Sequence, residues 1–146
     1  MARIEEAFER APIENRMIIY RTDVIPAAAM LVELFRAAQL TRPLDDPGRI
    51  EGLYRASNLV VTAWEGERLA GVLRGWTDGG FDGYICDLAV HPDFQKLGIG
   101  SALLDKVRFE RPQVQFVLRA SQIAREYYEH LGWQKIGNGW FWPRQS

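Results

Sequence analysis

The sequence predicts one α+β domain with a mixed central sheet of about six or seven strands and helices on both faces. Two observations support this prediction. Turn signals at Glu65-Gly66-Glu67 and at 77–80 separate apolar, β-rich runs, which indicates antiparallel hairpins. Helical periodicity after Gly98, followed by the compact apolar run Val114–Leu118, indicates a β-α-β crossover and therefore a parallel pair of strands.

The first half of the chain predicts one strand and two helices. Met17–Arg21 is short and β-rich. An apolar-periodic helix follows from Pro26 to about Gln39, and a proline near a helix start suits its fixed φ and missing N–H. After the loop Thr41–Asp46, a second short helix begins at Asp46-Pro47 and ends near Ala56. Residues 1–15 are charged and predict a short amphipathic helix or a loose arm.

The rest of the chain predicts three strands and then the crossover. Proline cannot donate to a strand ladder, so His91-Pro92 should end the third of these strands. The predicted elements are strands Leu59–Glu65, Arg68–Trp76 and Phe81–Val90, helix Gly98–Arg108, strand Val114–Leu118, helix Ser121–His130 with Gly132 as C-cap, and strands Trp133–Ile136 and Trp140–Trp142 around Gly137-Asn138-Gly139. The complete order is β-α-α-β-β-β-α-β-α-β-β.

Composition narrows the class of protein. The chain has 146 residues, 47% hydrophobic and 25% charged, which fits one soluble domain over 1–146. A net charge of -1 gives no broad attraction to nucleic acid. Cys86 is the single cysteine, which excludes an internal disulfide, and with two histidines it argues against a zinc site. No apolar run reaches the ~20 residues of a spanning helix, and the N-terminus lacks a signal-peptide core, so we expect a cytoplasmic protein without membrane or metal partners.

A glycine turn opens the helix after the third of these strands. The order strand, turn, Gly98-x-Gly100, helix leaves backbone N–H groups free beside a positive helix end, which suits a pyrophosphate, and Lys96 adds positive charge. A Walker loop would need lysine after its second glycine, where Ser101 stands, and a dinucleotide fingerprint would need glycine at Leu103. The two glycines alone would equally suit a tight turn with close helix packing.

Two motifs resemble a known family. Asp87–Pro92, followed by Gln95-x-x-Gly98-x-Gly100, resembles the central motif of the GNAT superfamily of N-acetyltransferases. Ala124–Trp133 resembles the second signature of that family, Ala-x-x-Phe-Tyr-Glu-x-x-Gly-Phe. Both stand in the family's order and together cover about residues 84–136.

The resemblance implies acetyl-CoA as co-substrate, lying where the parallel strands Tyr84–Val90 and Val114–Leu118 splay apart. Ser121 stands where the family often has an asparagine that contacts the cofactor, although serine is equally suited to a plain N-cap. By the family pattern, backbone groups of Leu88, Ala89 and Val90 meet the pantetheine arm and thioester, and the N–H groups of Gln95, Lys96, Leu97, Gly98, Ile99, Gly100 and Ser101 hold the pyrophosphate.

Acetyl transfer to an amine needs a neutral nucleophile, stabilisation of the oxyanion and a proton for the leaving thiolate. Tyr128 is the candidate general acid, although it could simply pack beside Tyr127, which replaces the usual phenylalanine. Asp87 is the candidate base or amine anchor, because strand alternation puts it on one face with Ile85 and Ala89; a structural salt bridge is the alternative.

Other residues are weaker candidates. Cys86 should lie on the opposite strand face, in the core rather than as a nucleophile, and His91 could shuttle protons or be solvated in its turn. The acceptor pocket could be lined by Trp76, Asp78, Phe81, Asp82, the loop Thr41–Asp46 or the segment Trp140–Trp142, each of which has a purely structural alternative.

The predicted reaction is direct attack of a primary amine on the thioester, with a small amine or a peptide N-terminus as acceptor and without nucleic acid. Acidic residues near the expected cleft favour a cationic amine. A homodimer is a family-level expectation. The alternative hypotheses are a catalytically silent acyl-CoA-binding or regulatory module on the same fold, and an ATP-binding protein that uses the glycine turn.

Overall fold

The computed structural model describes residues 16–122 and 124–145. The predicted arm or helix at 1–15 lies outside the described residues. The elements in chain order are β1 (Ile19–Arg21), α1 (Ala28–Ala37), α2 (Pro47–Arg55), β2 (Leu59–Glu65), β3 (Arg68–Thr77), β4 (Asp82–Val90), a 3-10 turn (Pro92–Phe94), α3 (Ile99–Phe109), β5 (Gln115–Leu118) and α4 (Arg125–His130).

The five described strands form one mixed sheet in the order β1-β2-β3-β4-β5. The first three pairings are antiparallel, and β4 pairs with β5 in parallel. The predicted hairpins and crossover are therefore confirmed, and α3 supplies the crossover that a parallel pair requires.

Helices cover both faces of this sheet, as predicted. On one face, α1 and α2 bury Leu31, Phe35 and Ile50 against Val72 and Ala89. On the other face, α3 buries an apolar stripe (Ile99, Leu103, Leu104, Val107) against strand residues that include Leu73 and Ile85. The sheet thus separates two apolar layers, and β4 contributes side chains to both.

A β-bulge in β4 changes which face its side chains take. Arg74 of β3 lies opposite Asp87, but Gly75 lies opposite Ile85, so Cys86 is the extra residue. Ile85 consequently packs in the α3 layer, while Ala89 packs in the α1–α2 layer. The prediction that Ile85 shares a face with Asp87 and Ala89 is wrong, because simple alternation does not survive a bulge.

The two predicted C-terminal strands are wrong, since the described residues 133–145 contain no strand. Gly137 and Asn138 do form a bend, but the side chains around it face solvent, and Trp140 is 98% exposed. Without burial of alternate residues a two-stranded hairpin has little to stabilise it. The residues that the structure describes form five strands, where the sequence predicted about six or seven.

The last helix is shorter than predicted. It begins at Arg125, and before it the Ser121 Oγ accepts from the Ala124 N–H at 3.2 Å. At the other end Gly132 has φ +91, the left-handed conformation expected of a glycine C-cap.

Candidate functional site

The strands β4 and β5 part at the bulge. Their parallel pairing runs from Asp82 opposite Gln115 to Ile85 opposite Leu118 and ends there, whereas β4 continues to Val90. Gly83 allows close approach at the paired end, because a Cβ there would overlap the ring of Phe116. The half of β4 beyond Cys86 therefore has a free edge on the β5 side.

Every second residue of β4 directs its backbone N–H and C=O into this gap. The His91 N–H donates to the Ala70 carbonyl at 2.8 Å, so in this antiparallel register Ala89 exchanges its backbone bonds with Val72. The N–H and C=O of Leu88 and Val90 then face the open edge. Of the three residues expected to meet the pantetheine and thioester, Leu88 has backbone groups without a partner among the described residues, and those of Ala89 are used by β3. The Val90 N–H is likewise free, but its carbonyl accepts from the Gln95 Nε2 at 3.5 Å.

The glycine turn follows directly and has an unusual backbone. Gly98 has φ +78, and Lys96 has φ +69, which is sparsely populated for a residue with a side chain. No hydrogen bond in the described part of the chain uses the backbone N–H of Lys96, Leu97, Gly98, Ile99, Gly100 or Ser101 as donor. These donors lie at the N-terminus of α3, where the helix dipole favours an anion. The turn thus fits a pyrophosphate, with the side chain of Lys96 nearby in sequence.

The side chain of Tyr127 explains why position 100 is glycine. Its Oη lies 2.6 Å from where a Cβ on Gly100 would stand, so α4 touches the first turn of α3. The hydroxyl that distinguishes Tyr127 from the usual phenylalanine thus lies against the predicted phosphate-binding turn.

Tyr128 packs on the α3 face of the sheet. It is part-buried beside the cluster that contains Ile99 and Leu103, and its ring meets Tyr127 and Trp133 edge-on at 5.3 and 5.9 Å between centroids. Burial, with a smaller contribution from Tyr127, raises the pKa of Tyr128 to about 12. The phenol therefore keeps its proton throughout the neutral range.

Asp87 lies on the other face, at the centre of a buried polar network. Its side chain is 1% exposed. One oxygen, Oδ1, accepts from Arg42 Nε at 2.7 Å, and the other, Oδ2, accepts from Arg74 Nε at 2.6 Å and from the Tyr54 hydroxyl at 2.9 Å. The predicted structural salt bridge is thus present, with two guanidinium groups.

This network fixes the protonation of its members. Burial disfavours the Asp87 carboxylate, but the hydrogen bonds and charges of Arg74 and Arg42 outweigh it, so the pKa of Asp87 lies below its usual value. Burial and the neighbouring carboxylate raise the pKa of Tyr54 well above its usual value. A carboxylate with a lowered pKa and occupied lone pairs is a poor direct base.

The remaining candidates have structural roles. Burial is the main cause that raises the pKa of the half-buried Cys86 thiol, which opposes thiolate chemistry. The His91 Nδ1 accepts from the Asp93 N–H at 3.1 Å and holds the turn. Asp78 accepts the backbone N–H groups of Gly80, Phe81 and Asp82 at 2.7 to 3.1 Å, so its carboxylate holds the hairpin.

An open cavity of about 340 Å³ lies beside this hairpin. Three of the predicted acceptor-pocket residues, Trp76, Asp78 and Asp82, line it, and Phe81 does not. The full lining is Trp76, Thr77, Asp78, Asp82, Gly83, Tyr84 and Val117. The segment Trp140–Trp142 is exposed and absent from this lining.

Sequence reasoning missed three residues, Arg42, Arg74 and Tyr54. Arg74 carried a signal, because a charge in an otherwise apolar strand needs a partner as much as Asp87 does. Arg42 and Tyr54 belong to a loop and a helix whose approach to β4 only the tertiary structure shows. No group of three or more metal-binding side chains occurs, and no helix could cross a membrane, among the residues that the structure describes.

A comparison with known families decides the identity of the fold. The family described as "Acetyltransferase (GNAT) domain" matches residues 47–140, which is more than half of the chain. The chain belongs to this family. Members of this family are acetyltransferases that use acetyl-CoA.

Two curated proteins similar to this chain are also called N-acetyltransferases. The chain is 34% identical over 84 residues to a protein called uncharacterized N-acetyltransferase ycf52 from Porphyra purpurea, and the match covers 53% of this chain and 48% of that one. The protein of that name from Pyropia yezoensis is 33% identical over the same length. The chain thus matches about half the length of these curated relatives.

Solved structures show the same fold. A probable acetyltransferase from meticillin-resistant Staphylococcus aureus superposes with a TM-score of 0.75 at 21% identity, over 88% of this chain and all of that one. A GNAT family protein from Streptococcus pneumoniae gives 0.69 at 23% identity, over 89% and 100%. A predicted acetyltransferase from Clostridium acetobutylicum, solved with acetyl-CoA, gives 0.66 at 17% identity, over 87% and 96%.

Proposed function

We propose that the chain is an acetyl-CoA-dependent N-acetyltransferase that moves the acetyl group to a primary amine by direct attack in a ternary complex. One observation carries the proposal. Free N–H groups at Lys96–Ser101 adjoin the open edge of β4, so a pyrophosphate donor site continues into a strand edge where, among the described residues, the backbone groups of Leu88 and the N–H of Val90 are unpaired. That continuity suits a ligand with a pyrophosphate at one end and an amide-containing arm at the other.

Each residue then has a defined task. The N–H groups of the turn hold the pyrophosphate, and the backbone of Leu88 and Val90 binds the arm and polarises the thioester carbonyl. The amine nitrogen forms a bond to the carbonyl carbon while the carbon–sulfur bond breaks. Holding both reactants in one cleft lowers the barrier without a covalent enzyme intermediate.

Tyr128 is the proposed proton donor to the leaving sulfur. With a pKa of about 12 it is a weaker acid than a thiol, whose pKa is about 8.5. Complete transfer is therefore uphill, and the phenolate must recover a proton at once. The proton that the attacking amine loses restores it, so the step balances without another base.

Binding tests the proposal through a matched pair of glycines. Gly98 and Gly79 both have φ +78 with open space around an added Cβ, so alanine at either position costs a similar amount of folding stability, on the order of 1 kcal/mol. Only Gly98 lies in the phosphate turn. We expect calorimetry to show acetyl-CoA binding that Gly98→Ala weakens about tenfold and Gly79→Ala leaves intact.

The same titrations separate the rival readings. Binding of ATP without binding of CoA would contradict the proposal and favour a nucleotide-binding protein. Tight acetyl-CoA binding without turnover of any amine would favour a silent acyl-CoA module. A cytoplasmic location, a homodimer, a cofactor contact by Ser121 and a single catalytic domain over 1–146 stay predictions.

A further inference from the structure

The buried network around Asp87 carries one positive charge in excess. Asp87 is ionised, Arg42 and Arg74 are both cationic, and Tyr54 is neutral because its pKa is raised. One carboxylate therefore faces two guanidinium groups. A buried surplus charge is costly unless an anion or solvent reaches it, so the position of the two cations decides what the surplus can do.

Arg42 is the cation that reaches the surface. Its side chain is 25% exposed, against 6% for Arg74. The Arg42 Nη2 donates to the Cys86 carbonyl at 2.8 Å and lies 2.6 Å from Asp87 Oδ1, to which it is ion-paired. Cys86 is the bulge residue at which β4 leaves β5. The exposed guanidinium thus lies beside the start of the open β4 edge, two residues from Leu88.

Arg42 also keeps a free donor. A guanidinium has five N–H groups. Nε uses one on Asp87, Nη2 uses one on the Cys86 carbonyl, and Nη1 uses one on the Thr41 carbonyl. Among the residues that the structure describes, the second N–H of Nη1 has no partner, so it can donate to a ligand.

Acidic side chains nearby do not cancel this charge. Asp46 caps α2 through the Arg49 N–H, and Asp45 is exposed on the same loop. Among the described residues Asp87 is the one acid paired with Arg42. At the hairpin, Asp78 is held by backbone N–H groups and Asp82 accepts from Gln115 at 2.7 Å. Because these hydrogen bonds come from uncharged groups, the carboxylates that line the hairpin cavity still suit a cationic amine, whereas Arg42 offers a separate site for an anionic group.

We infer that the acceptor is an amine that also carries an anionic group, of the amino-acid carboxylate class, and that Arg42 binds this group. The inference rests on the proposed function and names its substrate class. Asp87 and the carbonyls of Thr41 and Cys86 hold the guanidinium in place, and its charge also disfavours an ammonium beside the thioester, which helps the amine to enter in its reactive neutral form. Polyamines, which bring only positive charge, should be poor acceptors.

Matched acceptors test the inference on the wild-type chain. A set of amino acids with varied side chains is compared with the primary amides and the decarboxylated amines of the same compounds, with acetyl-CoA as donor and kcat/KM corrected for the fraction of neutral amine. We expect the free carboxylate to raise kcat/KM by at least tenfold for the amino acids that are accepted. Equal or faster turnover of the decarboxylated amines would overturn the inference.

Variants of Arg42 assign the effect to this residue. Arg42→Gln should raise KM for the carboxylate acceptor on the order of 10- to 100-fold and affect the amide acceptor much less, and Arg42→Lys should keep part of the preference. Arg55→Gln is the control, since Arg55 is 69% exposed and pairs with Glu51 on α2. An equal loss on all acceptors in Arg42→Gln would contradict the assignment.

The result also distinguishes this inference from the proposed function. If no amine releases CoA from bound acetyl-CoA, the proposed function fails and this inference fails with it. If amines are acetylated without regard to a carboxylate, the proposed function stands and only this inference is overturned. Because the wild-type comparison is decisive by itself, a folding defect in a variant does not leave the question open.

Discussion

Asp87 shows how one residue can satisfy a catalytic motif and a structural need at once. It stands in the motif that the family uses for its co-substrate, yet its oxygens are occupied by Arg42, Arg74 and Tyr54. These contacts favour a structural role for Asp87 over base catalysis, because the two neighbouring cations keep its carboxylate ionised. The same contacts place the Arg42 guanidinium where we propose that the acceptor binds.

Removing the charge of Asp87 should destabilise the fold strongly. Asp87→Asn leaves two guanidinium groups facing an amide, and breaking a buried ion pair typically costs roughly 3–5 kcal/mol. Urea unfolding measures the change, with Glu51→Gln as control because its ion pair with Arg55 is exposed on α2. A loss of unfolding free energy no larger than that in Glu51→Gln would show that the network does not stabilise the fold.

Acid titration gives an independent reading of the same carboxylate. The pKa of Asp87 is lower in the folded than in the unfolded chain, so its contribution to stability is complete above the ordinary value of 3.8 and is lost as pH falls towards the folded value. We expect the wild type to lose more stability than Asp87→Asn below about pH 4. Parallel curves for the two proteins would contradict a lowered pKa.

Tyr128→Phe should lower kcat by about 10- to 100-fold with little change in acetyl-CoA affinity, because only the proton donor is removed. With a pKa of about 12, Tyr128 should not cause any fall in wild-type kcat between pH 7 and 10. Tyr20→Phe on β1, at the far edge of the sheet, is the control. Unchanged kcat in Tyr128→Phe would remove the tyrosine from the mechanism.

Between elements, the contact of α4 with α3 depends on one hydroxyl. Gly100→Ala places a Cβ 2.6 Å from the Tyr127 Oη but 3.5 Å from its Cζ. The alanine should therefore displace α4 and weaken acetyl-CoA binding, and Tyr127→Phe should relieve the clash. A double-mutant cycle by calorimetry checks this, and additive effects of the two changes would contradict the contact.

The β4–β5 pair depends on Gly83 in the same way. A methyl group there overlaps the ring of Phe116, so Gly83→Ala should destabilise the protein by roughly 1–3 kcal/mol and separate the strands at their paired end. Gly52→Ala, with open space in α2, should instead be neutral or slightly stabilising. Thermal unfolding of both variants tests this, and similar unfolding midpoints would show that the Phe116 ring moves aside at little cost.

These elements also show how far the sequence leads. Hairpin turns, the crossover helix and the glycine turn follow from local signals, because turn chemistry and periodicity act over a few residues. The bulge at Cys86 carries no such signal, and it places Ile85 and Asp87 on opposite faces of the sheet. The aromatic C-terminal segment has strand-like residues but no partner strand, which propensity cannot reveal.

For the whole molecule, the fold assembles a site from segments far apart in sequence. The loop that holds Arg42 and the helix that holds Tyr54 reach Asp87 from one face, while Tyr128 belongs to the layer on the other. In the proposed site, the cleft thus receives a proton donor from one layer and a cation from the other. Sequence motifs indicated the half proposed to bind the co-substrate, and the proposed acceptor half emerged only from tertiary contacts.

Because a ligand that binds only the folded chain stabilises it, acetyl-CoA should raise the unfolding midpoint of the intact protein. At 100 times its Kd the gain is about 2.7 kcal/mol. We expect this shift with acetyl-CoA and CoA and none with ATP at equal concentration. A shift with ATP alone would place a nucleotide at the glycine turn instead.

The most direct test of the account is CoA release from acetyl-CoA in the presence of an amine panel, with the acetylated product identified by mass spectrometry. The account predicts one acetyl-amine formed per CoA released, and a rate that falls by about 10- to 100-fold in Tyr128→Phe. Acetyl-CoA that binds but transfers its acetyl group to no amine, in a protein that is fully folded, would contradict it.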